Sequence, residues 1–184
     1  MKTQTNTPFK RVIVLDTSAF LAGFDPFSLS EEQLTVPKVE EEIKRNSIIS
    51  VRFRAALENG KLKVKAPSEE FMNKVKTSAS KVGDSFKLSE TDIHLLSLAL
   101  ELKAEGRTPQ IVTDDYSIQN VATQLGIEFS ALATFGIKRL LEWIRYCPAC
   151  YREYPANCSF KECLVCGTPL KRKPRRTVKS VKAR

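Results

Sequence analysis

Short apolar runs that end at acidic or turn-forming residues alternate along this chain with longer stretches whose apolar positions recur every three to four residues. Val12-Ile13-Val14-Leu15, entered from Arg11, is the first of the short runs. A continuous apolar run of that length suits a strand buried on both faces. It stops at Asp16, and Thr17 and Ser18 follow, side chains that hydrogen-bond the first turn of a helix. One or two helical turns are predicted from Thr17 to Gly23, then a loop through Asp25-Pro26-Phe27-Ser28. Pro37 opens a second helix, a position it favours. A third helical stretch runs from Asn46 to Asn59 with Gly60 as its stop. Lys61-Leu62-Lys63-Val64-Lys65 alternates as an edge strand does. Ser68 caps a helix that fades near Val82-Gly83-Asp84, and Ser89 opens the most regular helix of the chain.

The first pattern then returns. Gln110-Ile111-Val112-Thr113 is a short strand, Asp114-Asp115 ends it, and a helix from Tyr116 to Leu125 is stopped by Gly126. Ile127-Glu128-Phe129 reads as a last short strand and Phe135 to Tyr146 as a terminal amphipathic helix. Strands alternating with helices over residues 11–146 predict an α/β fold, a parallel sheet flanked by helices on both faces.

That frame gives the acids a meaning. Asp16 and Asp115 end strands, so both fall at the C-terminal edge of the sheet, where open α/β sheets bind ligands. Asp92 lies three residues after Ser89, a capping-box spacing. It also heads the stripe of Leu95, Leu96 and Ala99. Val39 and Ile43 form the buried stripe of the helix begun by Pro37, which turns Glu41 outward and leaves Glu40 and Glu42 on the stripe's borders. Acids early in a helix also suit its macrodipole, and an acid between strand and helix is often only a cap. His94 falls away from the stripe and is read as solvated, with no chemical role. Taken together, four carboxylates at one sheet edge repel one another, and a divalent cation resolves that repulsion. An all-oxygen set suits Mg²⁺ or Mn²⁺ and disfavours zinc. Such an ion holds a phosphodiester oxygen and lowers the pKa of a bound water, without any nucleophilic side chain.

Composition adds two features. The formal net charge is +9. Lys171 to Arg184 holds eight basic residues and no acid, so the remainder is almost neutral. Residues 171–184 are expected to be a disordered basic tail that binds polyanions, nucleic acid ahead of an anionic membrane surface, with Lys171, Arg172, Lys173, Arg175 and Arg176 on the phosphates. No apolar run approaches a membrane span, and the first ten residues lack the apolar core of a signal peptide, which makes a cytoplasmic protein with no membrane partner the expectation. All five cysteines lie between Cys147 and Cys166. Cys147-x-x-Cys150 and Cys163-x-x-Cys166 are two paired-thiolate motifs that complete a closed, structural zinc site, a ribbon over residues 147–170. Cys158 is left over.

With these residues in hand, the chain resembles PIN-domain ribonucleases. Asp16 in Val-Leu-Asp-Thr-Ser, Glu42 before Ile43, Asp92 in Leu-Ser-x-x-Asp-Ile and Asp115 in Val-Thr-Asp-Asp-Tyr are similar to that family's four acidic positions, in its order, over residues 10–140. The resemblance prefers Glu42 to Glu40 and Asp115 to Asp114, with Asp114 kept as an auxiliary ligand. It implies that Asp16, Glu42, Asp92 and Asp115 are the catalytic ligands of Mg or Mn. The nuclease domain followed by a four-cysteine ribbon and basic end is similar to the archaeal Nob-type ribosome-assembly branch. That implies cleavage of precursor small-subunit rRNA at the 3′ end of the mature RNA. The implied partners are that rRNA, the assembling small subunit and other assembly factors. Two readings compete: a toxin-type PIN ribonuclease, against which the ribbon counts, and a non-catalytic RNA-binding assembly factor whose acids are only caps.

Overall fold

The computed structural model describes residues 10–44, 47–82, 88–133 and 142–175. Five parallel strands form the main sheet: β1 (Arg11–Leu15), β2 (Glu32–Thr35), β3 (Leu62–Val64), β4 (Thr108–Val112) and β5 (Glu128–Ser130). Their order across the sheet is β3-β2-β1-β4-β5. The helices are α1 (Thr17–Leu21), α2 (Pro37–Ile43), α3 (Ser47–Glu58), α4 (Glu69–Val82), α5 (Glu90–Ala104) and α6 (Tyr116–Leu125). Right-handed crossovers send α1–α3 to one face of the sheet and α4–α6 to the other. The packing agrees: α1, α2 and α3 touch one another, as do α4, α5 and α6. Val12 to Leu15 of the central strand are buried along their length, as the unbroken apolar run predicts.

The chain winds outward from β1 in both directions, first to β2 and β3 and later to β4 and β5. Strand order therefore reverses between β1 and β4, and a crevice opens beyond their C-terminal ends. Asp16 stands directly after β1, and Asp114-Asp115 follow Thr113 at the end of β4. Because α5 precedes a parallel strand, its N-terminus, with Asp92 in the first turn, comes to the same edge.

Strand β2 has no counterpart among the elements expected from sequence. Gln33 and Thr35 are fully buried in it, and each is hydrogen-bonded: the Gln33 amide donates to the Pro26 carbonyl (2.8 Å) and the Thr35 hydroxyl to the Leu15 carbonyl (2.7 Å). His94, expected in solvent, is half-buried, and its Nδ1 is buried with no hydrogen-bond partner.

A second, antiparallel sheet has the order β7-β6-β8, made of β6 (Glu142–Tyr146), β7 (Glu153–Pro155) and β8 (Lys171–Arg175). It corrects two expectations. The terminal helix expected over Phe135–Tyr146 is a strand in its last five residues, 142–146; residues 135–141 lie outside those described. The basic tail expected to be disordered from Lys171 is a strand through Arg175, while 176–184 lie outside the described residues. Pairing across the sheet explains both. Arg172 stacks on the Trp143 ring at 4.7 Å, and Lys173 on Tyr146 at 4.9 Å. Cation–π contact holds these residues on a folded ribbon that local composition does not reveal.

Candidate active site and cysteine cluster

Asp16 is the most buried of the four acids, at 6 % exposure. It is the N-cap of α1, and its carboxylate accepts hydrogen bonds from three donors. One carboxylate oxygen accepts from the Thr17 amide (2.7 Å), the other from the Ser18 hydroxyl (2.6 Å) and the Thr113 hydroxyl (2.8 Å). Burial pushes its pKa above the ordinary 3.8, against the opposing pull of those hydrogen bonds. Asp92 is half-buried and completes a capping box with Ser89: its carboxylate accepts from the Ser89 amide (2.7 Å) while its own amide donates to the Ser89 hydroxyl. Its pKa is also raised, first by burial and then by the charges of Asp115 and Asp16. That repulsion reports that Asp16, Asp92 and Asp115, distant in sequence, lie near one another.

Glu42 lies in the last turn of α2, not at a helix start as its neighbourhood suggested, and its head is held from both sides. The Thr17 hydroxyl donates to one oxygen at 2.5 Å and the Thr91 hydroxyl to the other at 2.6 Å. Glu40, the alternative left open by the stripe, instead pairs with Lys44 at 3.0 Å. Asp115 is exposed, caps α6 through the Ser117 amide (2.6 Å), and is tied to Asp16 through Thr113, whose hydroxyl oxygen accepts from the Asp115 amide (3.1 Å). Asp114 points elsewhere: its carboxylate accepts from the amides of Leu132 and Ala133 at 3.0 Å each and so anchors the segment after β5.

Among the described residues none of Asp16, Glu42, Asp92 and Asp115 is ion-paired with a basic side chain. Oxygen donors, uncompensated charge and the raised pKa values of Asp16 and Asp92 fit a hard divalent cation. The capping readings and this one describe the same contacts, because an amide or hydroxyl occupies one lone pair of a carboxylate oxygen and leaves another. The acids do not draw tight on their own. Among the described residues the only group with three or more ligand atoms within 4.8 Å of one another is the cysteine set.

That set is Cys147, Cys150, Cys163 and Cys166. Cys147 and Cys166 sulfurs lie 3.4 Å apart and Cys150 and Cys163 sulfurs 3.5 Å. A tetrahedral zinc site with Zn–S near 2.3 Å has sulfurs about 3.8 Å apart, so the donors fit that ion. Each Cys-x-x-Cys pair sits in the same tight turn. The residue after the second cysteine, Tyr151 or Gly167, donates its amide to the first cysteine's carbonyl at 2.9 Å. Both turns need a left-handed residue there; Gly167 supplies one freely at φ 72°, whereas Tyr151 holds φ 59° against the steric preference of a side chain. The Tyr154 hydroxyl, 3.1 Å from the Cys163 sulfur, lowers that thiol to about 6. Cys158 lies apart, with its sulfur 3.8 Å from the Phe160 carbonyl.

Comparison with known proteins agrees with this layout. Residues 13–102 match the family model for the PIN domain of ribonuclease. Endoribonuclease Nob1 of Methanocaldococcus jannaschii is 40 % identical over 163 residues, covering 89 % of this chain and 78 % of its own. The Pyrococcus abyssi protein of the same name is 40 % identical over 167 residues, 91 % of this chain and 96 % of its own. The chain belongs to the Nob1 family of PIN-domain endoribonucleases. It is therefore a nuclease by descent. A protein named ribonuclease VapC1, from Thermoplasma acidophilum, is 35 % identical over 162 residues, 88 % of this chain and 77 % of its own. A match of that span extends past residue 147. No helix among the described residues is long and apolar enough to cross a membrane.

The site residues come from four chain segments that sequence reading had marked. What it missed is the set of hydroxyls that links them: Thr17, Ser18, Thr91 and Thr113. Ser18 and Thr17 were noted only as helix-capping residues, and Thr91 only as a spacer between Ser89 and Asp92. Their adjacency to each acid was the available signal.

Proposed function

We propose that this chain is a divalent-metal-dependent endoribonuclease that cleaves precursor small-subunit rRNA at the 3′ end of the mature RNA, within the assembling small subunit. In this reading Asp16, Glu42, Asp92 and Asp115 hold Mg²⁺ or Mn²⁺, and Cys147, Cys150, Cys163 and Cys166 hold a structural zinc. The observation that supports it best is the convergence of four acids, without a basic partner among the described residues, at the switch point of a chain 40 % identical to endoribonuclease Nob1 relatives. An ion bound there supplies charge stabilisation to phosphodiester oxygens and a lowered pKa to an attacking water.

The residues do the positioning. Asp16, buried and triply hydrogen-bonded, is the fixed point of the site. Thr113 couples it to the loop of Asp115, and Thr17 couples the same turn to Glu42. Asp114 is the auxiliary: one of its oxygens is taken by the Leu132 and Ala133 amides, and the other, which accepts only Ala133, keeps a lone pair. Lys171, Arg172, Lys173 and Arg175 form a basic strand beside aromatic rings, and with Arg176 they take RNA phosphates.

The test is incubation of the zinc-loaded chain with an RNA fragment spanning the 3′ junction, with Mn²⁺ or Mg²⁺, and mapping of the products. One cut at the junction is expected from wild type. Asp16→Asn retains the capping geometry and RNA binding, yet loses cleavage by more than the roughly 10–100-fold typical of an outer-shell partner. The match to a protein named VapC1 favours one second reading, a toxin-type nuclease. Equal cutting of unrelated tRNA or mRNA fragments, with no preference for the junction, supports that reading. Absence of any cleavage supports a non-catalytic assembly factor.

A further inference from the structure

We propose that Thr91 is a positioning residue of the metal site: its hydroxyl fixes the Glu42 carboxylate and thereby sets the affinity for the divalent ion. The inference rests on the reading of Asp16, Glu42, Asp92 and Asp115 as ligands.

Glu42 has the weakest placement of the four. Asp16, Asp92 and Asp115 each cap a helix through their own carboxylate, so local backbone fixes them. Glu42 makes no such contact. It is exposed, it lies one residue from the end of a seven-residue helix, and a free glutamate there has three torsions to sample. What fixes it is the pair of hydroxyls, one on each oxygen. The two are not equivalent. Thr17 belongs to the turn that Asp16 caps. Thr91 is buried at 8 % exposure on α5, immediately before Asp92, and reaches Glu42 across 49 residues of sequence. It is the direct link between Glu42 and the helix that carries Asp92. A hydroxyl has one proton to give, and Thr91 gives it to Glu42. The oxygen takes a defined direction and keeps a lone pair for the cation. Fixing the direction of a ligand before the ion arrives removes an ordering cost from binding, and outer-shell partners of this kind are typically worth 10–100-fold in metal affinity.

Thr91→Val keeps the branched shape in a buried position and deletes the donor, while Thr91→Ser keeps the donor and deletes a methyl. Calorimetric titration of the zinc-loaded full chain with Mn²⁺ reads the site without requiring turnover. Thr91→Val is expected to weaken Mn²⁺ binding by roughly 10–100-fold. Thr91→Ser is expected to stay near wild type. Cleavage by Thr91→Val should recover at saturating Mn²⁺, with the KM for RNA unchanged, a split that a simple folding defect does not produce. Wild-type Mn²⁺ affinity in Thr91→Val overturns the inference, as does equal weakening in Thr91→Ser. Failure of the underlying metal-site reading looks different: Asp16→Asn then binds Mn²⁺ as wild type does, or wild type binds none, and Thr91 loses its role along with the site.

Discussion

The molecule carries two groups of side chains whose chemistry suits metal ions, built in opposite ways. The four cysteines draw together on two short turns of one small sheet, with all sulfurs within 4.8 Å. Their ligand shell closes on itself. The four acids come from four segments spread over about half of the chain. They face one another at the sheet's edge and are held by hydroxyls and amides of their own neighbourhood. A closed thiolate set leaves no place for substrate and serves folding. An open carboxylate set leaves room for a phosphate oxygen and a water around its ion, which hydrolysis requires. On the proposed reading the difference in packing is a difference in function, structural in the ribbon and chemical at the switch point.

The sharpest way to break the comparison is to open the closed cluster. Cys163→Ser should lose zinc and unravel β6, β7 and β8, while the α/β body keeps a cooperative melt. Zinc binding in small finger peptides is worth on the order of 10–16 kcal/mol, far more than the few apolar contacts of such a ribbon. Metal content and amide exchange check it. Full zinc content in the variant would show that Cys158 substitutes, and that the cluster is less specific than its geometry implies.

A smaller effect sharpens the other side. At the opposite edge of the sheet Glu32 sits among Lys10, Lys63 and Arg107, and these partners lower its pKa from 4.5 to about 2. Its contribution to stability is present above pH 4.5 and lost as pH falls toward 2. Asp16 has the reverse sign: burial raises its pKa, so its contribution is fully present below 3.8 and is lost as pH rises through the shifted value. Glu32→Gln should thus destabilise the neutral-pH protein by about 1–2 kcal/mol, allowing for solvent screening. Asp16→Asn without divalent ion should remove the cost of the buried charge and so stabilise the protein at neutral pH, with the gain vanishing in acid. Chemical denaturation at pH 7 and pH 3 measures both; destabilisation by Asp16→Asn at pH 7 would make Asp16 a cap first and a ligand second.

How far sequence carried this account follows from which contacts are local. The buried β1, the capping box at Ser89 and the left-handed Gly126 that ends α6 are encoded within a few residues, and local pattern finds them. The paired cysteines declare their site by spacing. Strand β2 escaped because its buried positions include Gln33 and Thr35, polar side chains whose partners, Pro26 and Leu15, lie elsewhere. The 142–146 and 171–175 strands escaped because each is a strand only through its partner. Lys171–Arg175 alone is a basic run; against Trp143 and Tyr146 it is a sheet edge with stacked cations. The hydroxyl network at the acids was hidden for the same reason. Thr91 and Glu42 are adjacent only after β1, α2 and α5 have assembled.

In the proposed reading the acids at the switch point bind divalent metal together. Thermal melting of the zinc-loaded chain with and without Mn²⁺, for wild type, Asp16→Asn and Glu40→Gln, tests it most directly. An ion present at a hundred times its dissociation constant stabilises the folded state by about 2.7 kcal/mol. Wild type and Glu40→Gln should show that shift, because Glu40 pairs with Lys44 outside the site. Asp16→Asn should show none. The same Mn²⁺-induced shift in Asp16→Asn as in wild type would contradict the account.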